Sequence, residues 1–402
     1  MYVQILVAIA LGLVCGIITG LIPGIHVNLI SVLALTLSPI ILTYTSPIAL
    51  CCFIISLAIT HSFLDSIPSI YLGAPDADQA LNVLPGHRLL HQGQGHNAIL
   101  YTLIGSLGSL ILALILFPFI IPLMKTLHPY IKNYIGYALI AIMSYMILKE
   151  PTVKKKLSSF LLFTLAGILG LIVLNLPSLS QPLFPLLSGL FGLSILITSL
   201  LQKSTIPKQS PHPLTISKKN TTKAITASTG MGITAAFLPG FGSSQAAIIA
   251  TQLVGKIGDE GFLTLVGGIN TANMLVSIAT AYTLSKARNG AIVVVNQLIE
   301  TITTQNLLIF LSLALIVGGT ATLIAIPLSK KFANIITRFS YTKIITSIII
   351  FITLLTIIFD TWIGLLILTT STAIGLLATN LGVGKNHLMG CLIIPVILFF
   401  IL

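Results

Sequence analysis

The chain has 402 residues, of which 55% are hydrophobic and only 7% are charged, and its formal net charge is +12. A soluble domain carries about 25% charged residues, so this composition excludes an ordinary water-soluble enzyme. Apolar runs of about 20 residues, the length that crosses the hydrocarbon core, recur along the chain. We therefore predict an all-α, multi-pass protein of the cell membrane. The positive charge predicts basic cytoplasmic loops rather than a nucleic-acid partner.

The first apolar run, 3–22, has no basic residue ahead of it and no small-residue cleavage site. We expect a retained membrane helix rather than a signal peptide. Pro23-Gly24 follows within the stretch 19-TGLIPGIHVNL-29 and stops this helix, because proline removes a backbone donor and glycine relaxes φ. The first half then contains these predicted membrane segments: 3–22, 26–44, 47–64, 96–122, 132–148, 157–175 and 183–201.

The most polar long stretch, 203–224, divides the chain near its middle. It contains five lysines and three prolines among many serines and threonines, a composition typical of an extramembrane linker. The predicted organisation is a first transmembrane repeat (1–202), a basic cytoplasmic linker (203–224) and a second transmembrane repeat (225–402). The predicted segments of the second half are 225–238, 242–254, 262–284, 304–328, 343–359, 362–380 and 387–402. The first two are short enough to form a hairpin that re-enters the membrane.

The two halves share the order of their unusual residues. Pro23-Gly24 and Pro239-Gly240 lie 216 positions apart, each inside an apolar region. Other pairs recur in the same order at similar spacing: Gly16 with Gly232, Asn97 with Asn306, Glu150 with Asp360, and Asn175 with Asn380. If each half crosses the membrane an odd number of times, the second repeat starts on the opposite side of the membrane and is inverted relative to the first. The sequence therefore predicts two inverted-topology repeats whose broken or re-entrant helices meet near the midplane.

The distribution of basic residues supports this topology. When the linker is placed inside, 16 of the 20 lysines and arginines fall on the cytoplasmic side, which is the side that basic loops favour. Both termini are then expected outside. Inverted repeats with matched interruptions are typical of secondary transporters, which work by alternating access.

Each Pro-Gly interruption is followed by polar residues at the start of a new helix. Helix N-termini present N–H groups and the positive end of the helix dipole to an anion. Asparagines in the apolar stretch 267-GGINTANM-274, and a basic side chain at the inner mouth, add further polar groups. The candidate substrate-binding residues are Pro23, Gly24, His26, Asn28, Arg88, Pro239, Gly240, Gly242, Ser243, Ser244, Asn270 and Asn273. The alternative is that proline kinks, small residues and asparagines serve helix packing alone.

Asp65 and His61 are four positions apart, on one predicted helical face. An ionisable residue at membrane depth is a functional candidate, so both are candidate coupling-ion residues, as a protonation site or cation ligand. Thr271 joins them because its hydroxyl oxygen could coordinate Na+. The alternative is that Asp65 and His61 lie at the cytoplasmic end of the helix, in water.

No enzyme and no metal site are predicted. The loop 85–98 carries three histidines, but no cysteine or carboxylate stands beside them. The chain contains no Walker A, G-x-S-x-G or H-E-x-x-H motif. We expect no cofactor, apart from Na+ as a coupling ion.

The Pro-Gly turn of each half and the stretch 73-GAPDADQALNVLPGHRLLHQGQGHNAILYTLIGS-106 resemble the TctA family. That family is the large membrane subunit of the tripartite tricarboxylate transporters. Gly16, Gly20, Pro23 and Gly24 match its Gly-x3-Gly-x2-Pro-Gly element, while His26 and Asn28 depart from the small residues usual there. The resemblance implies a secondary carrier of carboxylates, driven by Na+ or H+. It also implies a small membrane subunit and an extracytoplasmic binding protein as partners; a homo-oligomer is compatible with it.

Two other functions are compatible with the residues. Polyprenyl-phosphate translocases also use paired Pro-Gly-Ser-like turns in inverted repeats, so translocation of a lipid-linked phosphate is the alternative. An intramembrane enzyme is disfavoured because no nucleophile–base pair or metal set is evident. A groove open to lipid would favour the translocase, and a closed central cavity would favour the carrier.

Overall fold

The computed structural model describes residues 2–22, 27–73, 77–131, 134–201, 207–209, 212–237, 242–284, 287, 289–338 and 341–402. Within these ranges the chain is helical and has no β-strand, as the composition predicts. Five candidate residues lie outside them: Pro23, Gly24, His26, Pro239 and Gly240.

The helices of the first half vary widely in length. They are α1 (Tyr2–Leu21), α2 (Val27–Thr36), α3 (Ser38–Ile41), α4 (Pro47–Leu64), α5 (Ser66–Leu72), α6 (Val83–His91), α7 (Gly95–Ile131), α8 (Ile135–Leu148), α9 (Val153–Leu174), α10 (Leu183–Leu187) and α11 (Ser194–Leu201). A short 3₁₀ helix, Ala77–Asn82, precedes α6, and a π-helical turn, Ser188–Leu193, joins α10 to α11.

The second half follows a similar order. Its helices are α12 (Lys218–Phe237), α13 (Ser243–Val254), α14 (Gly258–Leu284), α15 (Gly290–Ile299), α16 (Thr304–Arg338), α17 (Tyr341–Asn380) and α18 (Gly390–Ile401), with a 3₁₀ helix, Lys385–Met389, ahead of α18. Helix α17 is interrupted at Thr361, whose φ of 57° and ψ of −151° are not helical, so it consists of two consecutive helices. This break lies where the sequence predicted separate segments.

Seven helical stretches of the described chain are long and apolar enough to cross a membrane. They are Tyr2–Leu21, Pro47–Leu72, Gly95–Thr126, Val153–Leu174, Gly258–Leu284, Thr304–Ile335 and Ile345–Asn380. The protein is therefore a multi-pass membrane protein.

Several helix bounds differ from the predicted ones. Within the predicted segment 26–44, helix α2 ends at Thr36, and the separate short helix α3 begins at Ser38 with Pro39 in its first turn. Helix α12 begins at Lys218, so the last part of the polar stretch 203–224 is helical. Helices α6 and α15 form in stretches that were predicted as polar loops. Their apolar residues recur at helical spacing over only nine or ten residues, too short a run for a spanning segment.

Local side chains fix the start of several helices. The Ser46 side chain accepts a hydrogen bond from the Ala49 N–H before α4, where Pro47 occupies the first turn. Thr152 accepts from the Lys155 N–H before α9, and Asn289 accepts from the Ala291 N–H before α15. Each cap satisfies one of the N–H groups that a helix start leaves without a partner.

The chain forms two compact units, and each draws on both halves of the sequence. Unit 1 consists of residues 1–68, 96–128 and 211–332. Unit 2 consists of residues 69–95, 129–210 and 333–402.

In unit 1, small residues allow pairs of helices to approach closely. Gly12, Gly16 and Gly20 lie along the side of α1 that packs on α4. A Cβ atom added to Gly16 would lie 2.5 Å from the Thr60 Cβ and 2.7 Å from the Leu57 carbonyl oxygen. On α12, Gly232 packs against α14 in the same way. Van der Waals contact of this kind drives helix association in membranes, where apolar burial between helices contributes little.

Unit 2 also relies on glycine contacts, around a separate apolar core. A Cβ atom at Gly170 of α9 would overlap the Cys391 carbonyl oxygen of α18, and one at Gly375 of α17 would overlap the Leu190 carbonyl oxygen. The apolar core joins α11 to α17 and contains Leu193, Leu196, Ile345, Ile348, Ile352 and Leu368.

Replacing Gly16 by alanine is expected to separate α1 from α4. The added methyl group meets a backbone oxygen that cannot rotate away, so we expect a loss of about 1–3 kcal/mol in stability. The matched control is Gly230→Ala on α12, where an added Cβ has no neighbour within 4 Å. That variant should melt at or slightly above the wild-type temperature. Thermal melting of both variants in detergent checks this, and an unchanged melt for Gly16→Ala would contradict the close-packing account.

Candidate functional site

Two membrane spans of the described chain differ from the others in burial. In the most apolar windows of Pro47–Leu72 and Gly258–Leu284, 83% and 89% of the residues are buried, against 28–39% in the other five spans. The buried polar residues of α4 and α14 are Ser56, Thr60, His61, Ser62, Thr264, Asn270, Thr271, Ser277 and Thr280. Polar side chains at such depth are costly unless they are paired, so they mark a candidate functional region.

Asp65 lies where α4 gives way to α5 and is only 3% exposed. Its carboxylate oxygen Oδ2 accepts a hydrogen bond of 2.9 Å from the Asn270 Nδ2 atom of α14. The backbone N–H of Asp65 donates to the His61 carbonyl oxygen at the C-terminal end of α4. The structure therefore brings together two residues that the sequence placed in different groups, Asp65 as a coupling residue and Asn270 as a substrate residue.

His61, one turn before Asp65, is also buried. Its Nδ1 atom lies 3.1 Å from the Thr19 hydroxyl of α1, and that hydroxyl donates to the Gly16 carbonyl oxygen. Which of the two atoms donates in this contact depends on the tautomer of the imidazole. The ring orientation of His61 is thus set by α1.

A second polar contact lies at the start of α13. The Asn273 Nδ2 atom of α14 donates to the Ser243 Oγ atom at 3.2 Å, and the Gln245 side chain accepts from the Gly242 N–H at 3.0 Å. Ser243 and Ser244 are buried. The electropositive N-terminus of α13 thus carries buried hydroxyl groups and is joined to α14.

The remaining predicted residues lie apart from these contacts or make local ones. The Thr271 hydroxyl donates to the Gly267 carbonyl oxygen, one turn back in its own helix. Asn28 is exposed on α2, close to Gly290 at the start of α15. Arg88 is exposed on α6 and belongs to unit 2, whereas the other described candidates belong to unit 1.

Sequence reasoning missed several polar residues of unit 1. The Thr102 hydroxyl lies 3.2 Å from the hydroxyl of Ser66, directly after Asp65, and the Ser106 hydroxyl donates to the Gly267 carbonyl oxygen. The Thr60 hydroxyl is buried without a hydrogen-bond partner among the described residues. Serine and threonine are common in membrane helices, so the sequence does not single these residues out. Only their contacts with Ser66, beside Asp65, and with Gly267 distinguish them from other serines and threonines.

The three histidines of the loop 85–98 divide between the two units, and the ring centroids of His87 and His91 lie 6.3 Å apart. His87 and His91 belong to unit 2, and His96 belongs to unit 1, where its Nδ1 atom bonds the Ser329 hydroxyl at 2.6 Å. In the part of the chain that the structure describes, no group of three His, Cys, Asp or Glu residues could hold a metal ion.

Comparison with known proteins assigns the chain to a family. The tripartite tricarboxylate transporter TctA family matches residues 6–390, nearly the whole chain. An uncharacterized protein of Methanocaldococcus jannaschii is 30% identical over 406 aligned positions, which cover 98% of this chain and 99% of that protein. No solved structure matches the chain. The chain belongs to the TctA family of tripartite tricarboxylate transporters.

Proposed function

We propose that this protein is a secondary carrier of small carboxylates that works by alternating access and is coupled to Na+ or H+. The observation that carries the proposal is the buried contact between Asp65 and Asn270 at the break between α4 and α5. The transporter family supports a carrier rather than an enzyme.

Asp65 is the residue that we propose for ion coupling. A carboxylate that is 3% exposed inside a membrane protein is stabilised when a proton or a cation neutralises it. Carbonyl, carboxylate and amide oxygens are hard ligands of the kind that suits alkali cations, and Thr271 and His61 lie on the two helices that meet here.

The start of α13 is the place that we propose for the substrate carboxylate. Ser243 and Ser244 supply hydroxyl groups at a helix N-terminus, and Asn273 supplies an amide on the facing helix. We propose Pro239, Gly240 and Gly242 as further residues of this site, and Pro23, Gly24, His26 and Asn28 as their counterparts in the first half. Arg88 is proposed as a charge partner of the anion at the inner mouth.

Two inverted repeats are the architecture that we propose for this carrier. Equivalent helices have similar lengths: 20 and 20 residues for α1 and α12, 10 and 12 for α2 and α13, 37 and 35 for α7 and α16. Equivalent pairs also pack together, since α1 packs on α4 and α12 packs on α14. The proposed boundaries are 1–202, 203–224 for the linker, and 225–402, with re-entrant turns at the two Pro-Gly positions.

The partners of the carrier are inferred from the family. The tripartite system supports a small membrane subunit and an extracytoplasmic binding protein as companions of this chain. We propose that this chain forms the transport path, because the buried polar residues that could hold substrate and ion lie within it.

One observation favours a second candidate function, the translocation of a lipid-linked phosphate. An apolar groove of about 560 Å3 lies in unit 1 between α1, α2 and α4, and its lining includes Val7, Leu11, Leu33 and Phe53. A groove of this chemistry would suit a hydrocarbon chain, while a glycine-serine turn suits a phosphate as well as a carboxylate.

Ligand-dependent thermal stability distinguishes the two functions. The purified protein would be melted with citrate, C4-dicarboxylates or polyprenyl phosphate, each with and without Na+ and at two pH values. A ligand that binds the folded state raises the melting temperature. We expect a carboxylate to do so in a Na+- or pH-dependent manner. Stabilisation by the lipid phosphate alone would replace the carrier with the translocase.

Asp65→Asn is expected to remove ion coupling while preserving the fold. The new amide oxygen can still accept the hydrogen bond from Asn270, but it can neither ionise nor carry a proton. We expect at least a ten-fold loss of Na+- or pH-dependent uptake in proteoliposomes and a nearly unchanged melting temperature. Glu300→Gln, at an exposed acidic residue of unit 1, is the matched control and should transport normally. Uptake by Asp65→Asn that keeps its ion dependence would exclude Asp65 from coupling.

Asn270→Ala is expected to act differently from Asp65→Asn. It leaves the Asp65 carboxylate buried without its amide donor, which should cost about 1–3 kcal/mol. In the Asp65→Asn background the same substitution should cost less, because no charge is then left behind. Additive losses in this double-mutant cycle would show that the two side chains are not energetically coupled.

Replacing Pro239-Gly240 with Ala-Ala is expected to abolish transport without preventing membrane insertion. Alanine favours a continuous helix, which would carry α12 through the proposed binding turn. Pro327→Ala is the control, because Pro327 lies inside α16 and is not followed by glycine. Insertion is checked by membrane fractionation, and normal uptake by the Ala-Ala variant would remove this turn from the mechanism.

A further inference from the structure

Helix α9 carries a stripe of exposed apolar side chains from its first turn to its last. Residues three or four positions apart lie on one face of an α-helix, and the exposed apolar residues of α9 follow this spacing. The α9 stripe consists of Val153, Leu157, Phe160, Leu161, Ile168 and Ile172. Because α9 is a candidate membrane span, the stripe is the side of the helix that is accessible to lipid hydrocarbon.

Two lysines border the first turn of the stripe. Since an α-helix turns by about 100° per residue, Lys154 and Lys156 lie on either side of the stripe, whereas Lys155 lies on the opposite face. Lys154 is exposed, and Lys156 is half-buried. Two ammonium groups therefore stand where the lipid-accessible surface of α9 begins.

The adjacent end of α8 adds a third lysine. Helix α8 packs on α9, and the exposed Lys149 follows the last residue of α8. The Lys149 Nζ atom lies 5.6 Å from the centre of the exposed Tyr145 ring. Tyrosine is enriched where the membrane meets water, so this ring indicates the level of the lipid headgroups. We call the group of Lys149, Lys154 and Lys156 the α8–α9 corner.

The acidic residues of unit 2 do not neutralise the corner. The Glu150 Oε1 atom lies 3.2 Å from the His387 Nε2 atom, and the Asp360 Oδ1 atom accepts hydrogen bonds from two backbone N–H groups. Within the described ranges, no carboxylate forms an ion pair with the three lysines. Positive charge in the first turn of a helix is also unfavourable, because the N-terminus is the positive end of the helix dipole. An anion at the corner would therefore be attracted by the lysines and by the helix end together.

Helix α12 also begins with lysines but lacks an apolar stripe. Lys218 and Lys219 are exposed in its first turn. The other exposed positions of α12 are Thr222, Lys223, Thr226 and Gly230. The preference of basic residues for the cytoplasmic side accounts for the lysines of both helices. Only α9, however, places its lysines at the edge of a surface that suits acyl chains.

We propose that the α8–α9 corner binds the phosphate headgroup of an anionic phospholipid, whose acyl chains lie along the α9 stripe. The lysines supply the charge that selects an anionic headgroup, and the stripe supplies the surface that selects a lipid over free phosphate. Groups of basic residues beside a membrane helix attract anionic lipids in this way. This inference does not depend on the proposed carrier function.

The test is the melting temperature of the purified, delipidated protein in a neutral detergent, titrated with phosphatidylglycerol or with phosphatidylcholine of the same acyl chains. We expect phosphatidylglycerol to raise the melting temperature further and to saturate, as for binding at one site. Combining Lys154→Gln with Lys156→Gln should weaken the apparent affinity for phosphatidylglycerol about 30-fold, the effect of two lysines at a membrane surface. Without lipid this variant should melt no lower than the wild type, because it removes positive charge from a helix N-terminus.

Two controls make the result specific to the corner. Combining Lys218→Gln with Lys219→Gln removes the same charge at the start of α12 and should retain the full response to phosphatidylglycerol. Lys155→Gln removes one charge from the face of α9 opposite the stripe, and it should change the affinity much less than the double variant of α9.

Four results would overturn the proposal. The first is equal stabilisation by phosphatidylglycerol and phosphatidylcholine, and the second is a response to phosphatidylglycerol that the double variant of α9 retains. The third is an equal loss in the α12 control, which would attribute the response to net charge alone. The fourth is equal stabilisation by glycerol phosphate, the headgroup without acyl chains, which would show that the α9 stripe takes no part.

Discussion

Polar groups inside a membrane protein must find their partners within the protein, and in unit 1 the hydrogen bond between Asp65 and Asn270 meets this constraint. The bond requires α4 and α14 to be shielded from lipid. The shielding in turn requires α1 and α12 to pack closely on them, which Gly16 and Gly232 allow. The small residues on α1 and α12 and the shielding of α4 and α14 from lipid are thus consequences of a single requirement.

The acidic residues of unit 2 show how the two halves of the sequence are interwoven. Glu150, at the end of α8, contacts His387 just before α18. Asp360, just before the break in α17, accepts hydrogen bonds from the backbone N–H groups of Ser180 and Gln181, which lie just before α10. Glu150 of the first half thus contacts a residue just before α18 of the second half, and Asp360 of the second half contacts residues just before α10 of the first half. A reciprocal exchange of this kind is what two repeats related by a pseudo-two-fold axis would produce, and it supports the proposed repeat from contacts rather than from sequence spacing.

The membrane spans could be predicted from the sequence because length and hydropathy determine them almost alone. The proposed correspondence of Glu150 with Asp360 between the two halves stays a prediction from the sequence order. The contact between Asp65 and Asn270 could not be predicted, because the two residues are 205 positions apart and nothing local to either indicates the other. Helices α6 and α15 were missed for a different reason. They are short and carry polar residues, so a search for spanning segments assigns them to loops.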